Sequence, residues 1–319
     1  MGQPRGQWRI PQLGREAVQL IMGFYKKILL LGKDGQVGWE LQRALAPLGE
    51  LTALNRSECD LANPAQIQAA LEKYEPEVIV NAAAYTAVDK AEEDRDNARR
   101  INVDAVAELA LYAREMGSLL VHYSTDYVFD GTKPEAYVED DITNPLSVYG
   151  STKLQGEDKI RSALCRHLIF RTSWVYAARG ANFAKTMLSL AQEREALNVI
   201  DDQIGAPTSA ELIADVTAHA LRDVLSGRAP GGTYHLAAAG ETSWYGYAKF
   251  VIDRARQQGI ALKLADAGLK AIPAAEYPLP AKRPQNSRLN THLLERSFAL
   301  KLPHWQQGVE KLVYEIQKD

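Results

Sequence analysis

From Lys27 onward the chain alternates short apolar runs with longer amphipathic stretches: "KILLLG", "QVGWELQRALAPLG", "ELTALN", "PAQIQAALEKYEP" and "EVIVNAAA". The short runs have no polar face and the long ones repeat at helical spacing, which predicts a βαβαβ series around a parallel sheet buried on both sides. The rhythm continues through "NARRINVDAVAELALYAREMG", the strand-like "SLLVHYSTD", the helix-like "VYGSTKLQGEDKIRSA" and the strand-like "HLIFRTSWVY". Asn63 before Pro64 is placed to cap one helix, and Pro76 closes it. After Tyr176 the character changes. "ANFAKTMLSLAQERE" and "SAELIADVTAHALRDVL" read as helices, and "LNVIDD" and "GTYHLAA" read as short strands. "AIPAAEYPLPAKRPQNSRLN", with Pro273, Pro278, Pro280 and Pro284, reads as an ordered but irregular surface over the ligand edge of the sheet.

These elements predict an α/β fold, a Rossmann-like doubly wound parallel sheet with a smaller C-terminal α/β substrate-binding region. The expected division is a dinucleotide-binding core over 26–172 and a mainly substrate-binding region over 173–319, with some segments returning to the core. Residues 1–25 are expected to lie outside the fold, with Met22 as a candidate start and 1–21 as an upstream extension. A chain of 319 residues, 46% hydrophobic and 24% charged, can bury such a core unaided.

Composition narrows the partners. The formal net charge is −3 without a basic block, which argues against nucleic acid or an anionic membrane surface and for small soluble substrates. Cys59 and Cys165 make no CxxC, which suits a reducing compartment, and the chain reads as cytoplasmic. It has no run of 18 apolar residues, and "MGQPRGQWRIPQLGREAVQLIMGFYKK" lacks a continuous apolar segment of signal-peptide type. His122, His167, His219, His235, His292 and His304 are isolated from one another, so zinc is not expected. No GxSxG occurs to support a serine hydrolase.

"GKDGQVG" sets Gly32, Gly35 and Gly38 three residues apart, directly after the first strand and opening a helix. Such a turn, with Gln36 and Val37 inside it, lets backbone amides approach a pyrophosphate at the positive end of a helix. The second strand ends in "LNRSECDL", with Asn55 and Arg56 where an NAD-preferring fold would offer a carboxylate to the ribose. A guanidinium there suits a 2′-phosphate, so NADPH is expected, with NADH still possible. Asp60 and Leu61 could flank the adenine, and Ala82, Ala83 and Ala84 are small enough to lie against a dinucleotide.

"HYSTDYVFDG" ends the fourth strand with Ser124 and Thr125, and "VYGSTK" sets Tyr149 and Lys153 on one helical face. Thr125, Tyr149 and Lys153 together compose a proton-delivery site. Lys153 is expected to lower the phenol's pKa and to hold the nicotinamide ribose, while Thr125 hydrogen-bonds a substrate carbonyl.

In this order the glycine turn, strand-end hydroxyl and YxxxK resemble the extended short-chain dehydrogenase/reductase family. "VNAAAYTAVDKAE", "HYSTDYVFDG", "VYGSTKLQGE", "FRTSWVYA", "DDQIGAPT", "YHLAAAGETSWYGYA" and "RPQNSRLNT" are similar to those members that reduce the C4 ketone of a dTDP-activated 4-keto-6-deoxy sugar with NADPH. The resemblance runs from about Lys27 to the C-terminus. It implies Tyr149 as the proton donor, with Thr125 and Lys153 beside it. It implies Asp126 and Trp174 as sugar contacts, and Val88, Arg283 and Asn286 as further substrate wall. It also implies Mg²⁺ held by Glu40, Glu211 and Glu315 at a homodimer contact.

Two alternatives stay open. A nucleotide-sugar dehydratase resembles these reductases but carries an acidic residue after its Thr-Asp pair, where Tyr127 stands here; an epimerase would retain NAD. The regulatory β subunit of eukaryotic methionine adenosyltransferase is also similar, so a non-catalytic nucleotide-binding role is the second.

Overall fold

The computed structural model describes residues 26–317. The N-terminal segment, including Met22 and the expected extension, lies outside the described residues. Twelve strands are formed: β1 (Lys26–Leu31), β2 (Gly49–Leu54), β3 (Val78–Asn81), β4 (Leu119–Thr125), β5 (Arg166–Thr172), β6 (Val175–Tyr176), β7 (Leu197–Ile200), β8 (Ile204–Gly205), β9 (Thr208–Ser209), β10 (Gly232–His235), β11 (Thr242–Ser243) and β12 (Leu269–Ile272). The helices are α1 (Gln36–Leu45), α2 (Pro64–Tyr74), α3 (Arg95–Arg99), α4 (Ala105–Met116), α5 (Val148–Ala163), α6 (Phe183–Glu193), α7 (Ala210–Leu225), α8 (Trp244–Gln257), α9 (His292–Phe298) and α10 (Trp305–Ile316).

Six strands form the central sheet in the order β10-β5-β4-β3-β1-β2, every pair parallel. Side chains alternate across it, as a pleat requires. Ile28, Leu30, Val78, Val80, Leu119 and Val121 meet Leu41 of α1 and Ile213 of α7 on one face. Leu29, Leu31, Ile79, Leu120 and Ile169 meet Ile67 of α2, Leu109 of α4 and Ile160 of α5 on the other. Truncating any one of these to alanine costs about 2–5 kcal/mol. The doubly wound α/β fold expected from the pattern is present, and both α7 and β10, beyond Thr172 in sequence, are built into it.

Parallel register brings the carboxyl ends level. Leu31 lies opposite Leu54 and Asn81, and Thr125 opposite Thr172. Residues just past these positions therefore face one crevice.

Within "NARRINVDAVAELALYAREMG" the helix is interrupted, because Arg100–Asp104 form a π-turn between α3 and α4. The extra residue turns Asn102 inward, where its Oδ1 accepts from the Tyr85 N–H at 2.9 Å and its Nδ2 donates to Thr152 Oγ1 at 3.1 Å. The loop after β3 is tied to α5 by this side chain.

The later segments pack a second apolar cluster, with Leu188 of α6, Tyr247 and Val251 of α8, and Trp305 and Val309 of α10. It closes one side of the crevice. Among the described residues no helix is long and apolar enough to cross a membrane.

Candidate active site

A cleft of about 620 Å³ opens at the carboxyl ends of the strands, running from Arg56 at one end to Trp244 at the other. Gly32 turns the chain out of β1 at φ 88°, and a Cβ there would come within 2.8 Å of the Ala83 nitrogen. Gly35 begins α1 without any side-chain cap, so the first amides of the helix have no side-chain partner. Gly32, Gly35, Gln36 and Val37 line the cleft, as do Ala82, Ala83 and Ala84. Gly38 does not. A Cβ there would run into the Gly32 carbonyl, so this glycine is required by the packing of helix on turn.

At the far end Arg56, Cys59, Asp60, Leu61 and Ile101 line the cleft. The Arg56 side chain is 79% exposed and only loosely paired, its Nε 3.3 Å from Asp60 Oδ2. Asn55 lies outside the lining. Its Oδ1 accepts from the Ser57 and Glu58 amides at 3.1 and 3.2 Å, and its Nδ2 donates to Asp34 at 3.0 Å. The side chain builds the turn after β2.

Helix α5 starts at Ser147, whose Oγ accepts from the Gly150 N–H at 3.2 Å. That start places Tyr149, Lys153 and Glu157 in one stripe facing β4 and β5. Burial pushes the Tyr149 phenol up to about 12, the Asp126 charge adds to this, and a hydrogen bond with the Thr125 hydroxyl opposes it. Lys153 does not lower the phenol's pKa as expected. Its nitrogen lies 3.1 Å from His122 Nε2, and its own proton affinity falls to about 8, chiefly through burial, against the pull of Glu157. Glu157 is fully enclosed, with Arg171 at 2.8 Å and Arg161 at 2.9 Å.

The Thr125 hydroxyl donates to Asp126 Oδ1 at 3.0 Å, and its oxygen accepts from the Tyr127 N–H at 3.2 Å. In this arrangement the threonine orients Asp126 and also hydrogen-bonds the Tyr149 phenol. Burial raises the Asp126 carboxyl to about 6.

Val88, Asp126 and Trp174 line the cleft, together with Thr86, Tyr127, Ser173 and Trp244. Trp244 was missed by sequence reasoning, although "ETSWYGYA" contained it. Arg283 and Asn286 are not brought to the lining. The Arg283 guanidinium is held by Asp89 at 2.6 and 3.0 Å, so it has no uncompensated charge to present to a diphosphate. Asn286 donates to the Lys133 and Glu135 carbonyls at 2.6 and 2.7 Å and accepts from Arg288 at 2.8 Å, which fastens the proline-rich strap.

Glu40, Glu211 and Glu315 do gather around one small pocket. Lys311 occupies its middle, with Nζ 2.6 Å from both Glu211 oxygens and 3.8 Å from Glu315. An ammonium stands where a cation would, and among the described residues no three His, Cys, Asp or Glu side chains are grouped to hold a metal ion. The arrangement does not fit Mg²⁺.

A parallel sheet that brings an uncapped glycine turn and a phenol–lysine helix to one crevice is the architecture of the extended short-chain dehydrogenases/reductases, and the chain is of this class. Residues 26–318 match the family model described as RmlD substrate binding domain, and the chain belongs to that family. The dTDP-4-dehydrorhamnose reductase of Salmonella typhimurium is 54% identical over 293 residues, covering 91% of this chain and 97% of that protein. The Escherichia coli K12 protein of the same name is 53% identical over the same shares. Among solved structures, dTDP-4-dehydrorhamnose reductase from Bacillus anthracis in complex with NADP superposes with a TM-score of 0.83 at 32% identity, covering 91% of this chain and 99% of that one.

Proposed function

We propose that this protein reduces the C4 ketone of dTDP-4-dehydro-L-rhamnose to dTDP-L-rhamnose, using NADPH. The observation that carries the reading is the meeting of Tyr149, Thr125 and Asp126 with Trp174 in the crevice that also contains the glycine turn. The identity to reductases of that name supports the substrate.

When bound, NADPH supplies a hydride to C4; the residues do the rest. The turn amides after Gly35 and the alanines of Ala82 to Ala84 would hold the dinucleotide, and Arg56 would meet its 2′-phosphate. The indole of Trp174 covers the apolar face of the 6-deoxy sugar. Tyr149, whose high pKa keeps it protonated, gives its proton to the C4 oxygen as charge develops there. Tyr127 follows Asp126 at the position where a dehydratase carries an acidic residue, which supports a reductase over a dehydratase. The thiols of Cys59 and Cys165 are free and buried, in keeping with a cytoplasmic enzyme.

Mass spectrometry of the sugar nucleotide after incubation with protein and NADPH tests the reading. A product heavier by two hydrogens is expected, and recovery of the ketone unchanged refutes it.

A further inference from the structure

The imidazole of His122 stands between two groups that both offer it hydrogens. Its Nε2 lies 3.1 Å from Lys153 Nζ and its Nδ1 lies 3.3 Å from Asn81 Nδ2. All three side chains are at least 98% buried, with relative exposures of 1% for His122, 2% for Lys153 and 1% for Asn81. The Asn81 amide is oriented by a backbone group, because its Oδ1 accepts from the Ala83 N–H at 3.2 Å. Its NH₂ end therefore faces the ring, and Nδ1 must accept.

A neutral imidazole with Nδ1 bare carries its hydrogen on Nε2. That hydrogen points at Lys153, and an ammonium has no lone pair to receive it. The other tautomer lets an ammonium donate to Nε2 but sets Nδ1–H against the Asn81 NH₂. With a charged lysine one of the two imidazole contacts sets donor against donor in either case; with the neutral amine the lysine lone pair accepts Nε2–H and Nδ1 accepts from Asn81, so both contacts are met.

We propose that His122 is a positioning residue for Lys153: its tautomer, set by Asn81, makes it a donor to the lysine nitrogen, fixing that side chain in place and weakening its hold on a proton. The proposal rests on the reading of Tyr149 and Lys153 given above. Its chemical consequence is a lysine that exchanges its proton near neutral pH.

The other groups facing Lys153 are accounted for. Glu157, one turn further along α5, favours the ammonium, but its carboxylate is shared with Arg171 and Arg161. Tyr149, one turn earlier, is a neutral phenol, with Asp126 near it. Burial, the largest influence, favours the amine, and it also keeps His122 neutral.

The test is ¹⁵N NMR of histidine-labelled protein without cofactor at a pH above the lysine's value of about 8, the His122 signal being assigned by its loss in His122→Phe. An Nε2–H tautomer is expected, and an Nδ1–H tautomer overturns the proposal. Asn81→Asp replaces the neighbouring donor with an acceptor and is expected to switch the ring to Nδ1–H; an unchanged tautomer also overturns it. In steady-state assays His122→Phe is expected to move the basic limb of kcat/KM upward by about one pH unit. A limb that stays or moves down counts against the donor role. If no keto sugar is reduced, the functional reading fails while the tautomer measurement still decides this one.

Discussion

Trp174 lies flat against Trp244, with ring centroids 3.7 Å apart and planes within 14° of parallel. The contact compensates for an unfavourable backbone. Trp174 adopts φ 49°, a left-handed conformation that costs a bulky residue on the order of 1–3 kcal/mol. Gly205 lies beneath it, where any Cβ would come within 2.7 Å of the indole. Stack and glycine together fix the ring in the wall of the cleft.

Removing the backing ring is therefore expected to loosen the sugar site and leave the dinucleotide site alone. Trp244→Ala should raise KM for the keto-sugar nucleotide about tenfold, with a smaller change in kcat and no change in NADPH affinity. Steady-state kinetics with each substrate varied in turn checks this. An equal loss in both KM values contradicts it.

The phenol at Tyr149 is assigned a role that only its hydroxyl can fill. Tyr149→Phe should reduce kcat by roughly 10²–10⁴-fold, the usual worth of a general acid. NADPH binding, followed by fluorescence titration, should stay within about twofold of the parent. A variant that retains full turnover removes Tyr149 from the mechanism.

Arg56 is exposed and only loosely engaged by Asp60, so its guanidinium can turn to a phosphate at little cost. Arg56→Gln is expected to weaken NADPH by about tenfold while NADH is unaffected, which follows from losing one charge-assisted contact. Parallel titrations with the two cofactors decide it.

Lys153 carries a stability cost with a defined sign. Its pKa is about 8 in the folded chain against an ordinary 10.5, so folding disfavours the ammonium. The cost is fully present below about pH 8 and disappears as pH rises past 10.5. Lys153→Met should thus be inactive yet more stable at pH 7, by about 2 kcal/mol. Urea unfolding at pH 7 and again above the lysine's ordinary range should show the difference closing.

The layout of strands and helices was legible because each βα unit has its own local signature. Hydrophobic period and the glycines of "GKDGQVG" require no knowledge of the rest of the chain. The cleft-lining roles of Asp126, Val88 and Trp174 were legible as positions in motifs. What motifs could not show is which partner a side chain takes in three dimensions. Arg283 meets Asp89 across 194 residues, and Lys153 meets His122 across 31. Asn55 and Asn286 were visible as polar residues in suitable places, but Asn55 is engaged by its own turn and by Asp34, and Asn286 by the Lys133 and Glu135 carbonyls across 153 and 151 residues. Gly38 was read as a phosphate contact when the close packing of α1 on its own turn requires it. The π-turn at Asn102 was illegible for the opposite reason, since its helical period runs unbroken through the inserted residue.

The central claim is hydride transfer from NADPH to the keto-sugar nucleotide. It is tested most directly by the absorbance of reduced nicotinamide, with purified protein, NADPH and dTDP-4-dehydro-L-rhamnose generated in place. Absorbance should fall only when the sugar nucleotide is present, and should not fall with Tyr149→Phe. An absorbance that holds steady with the parent protein, although NADPH demonstrably binds, would contradict the account.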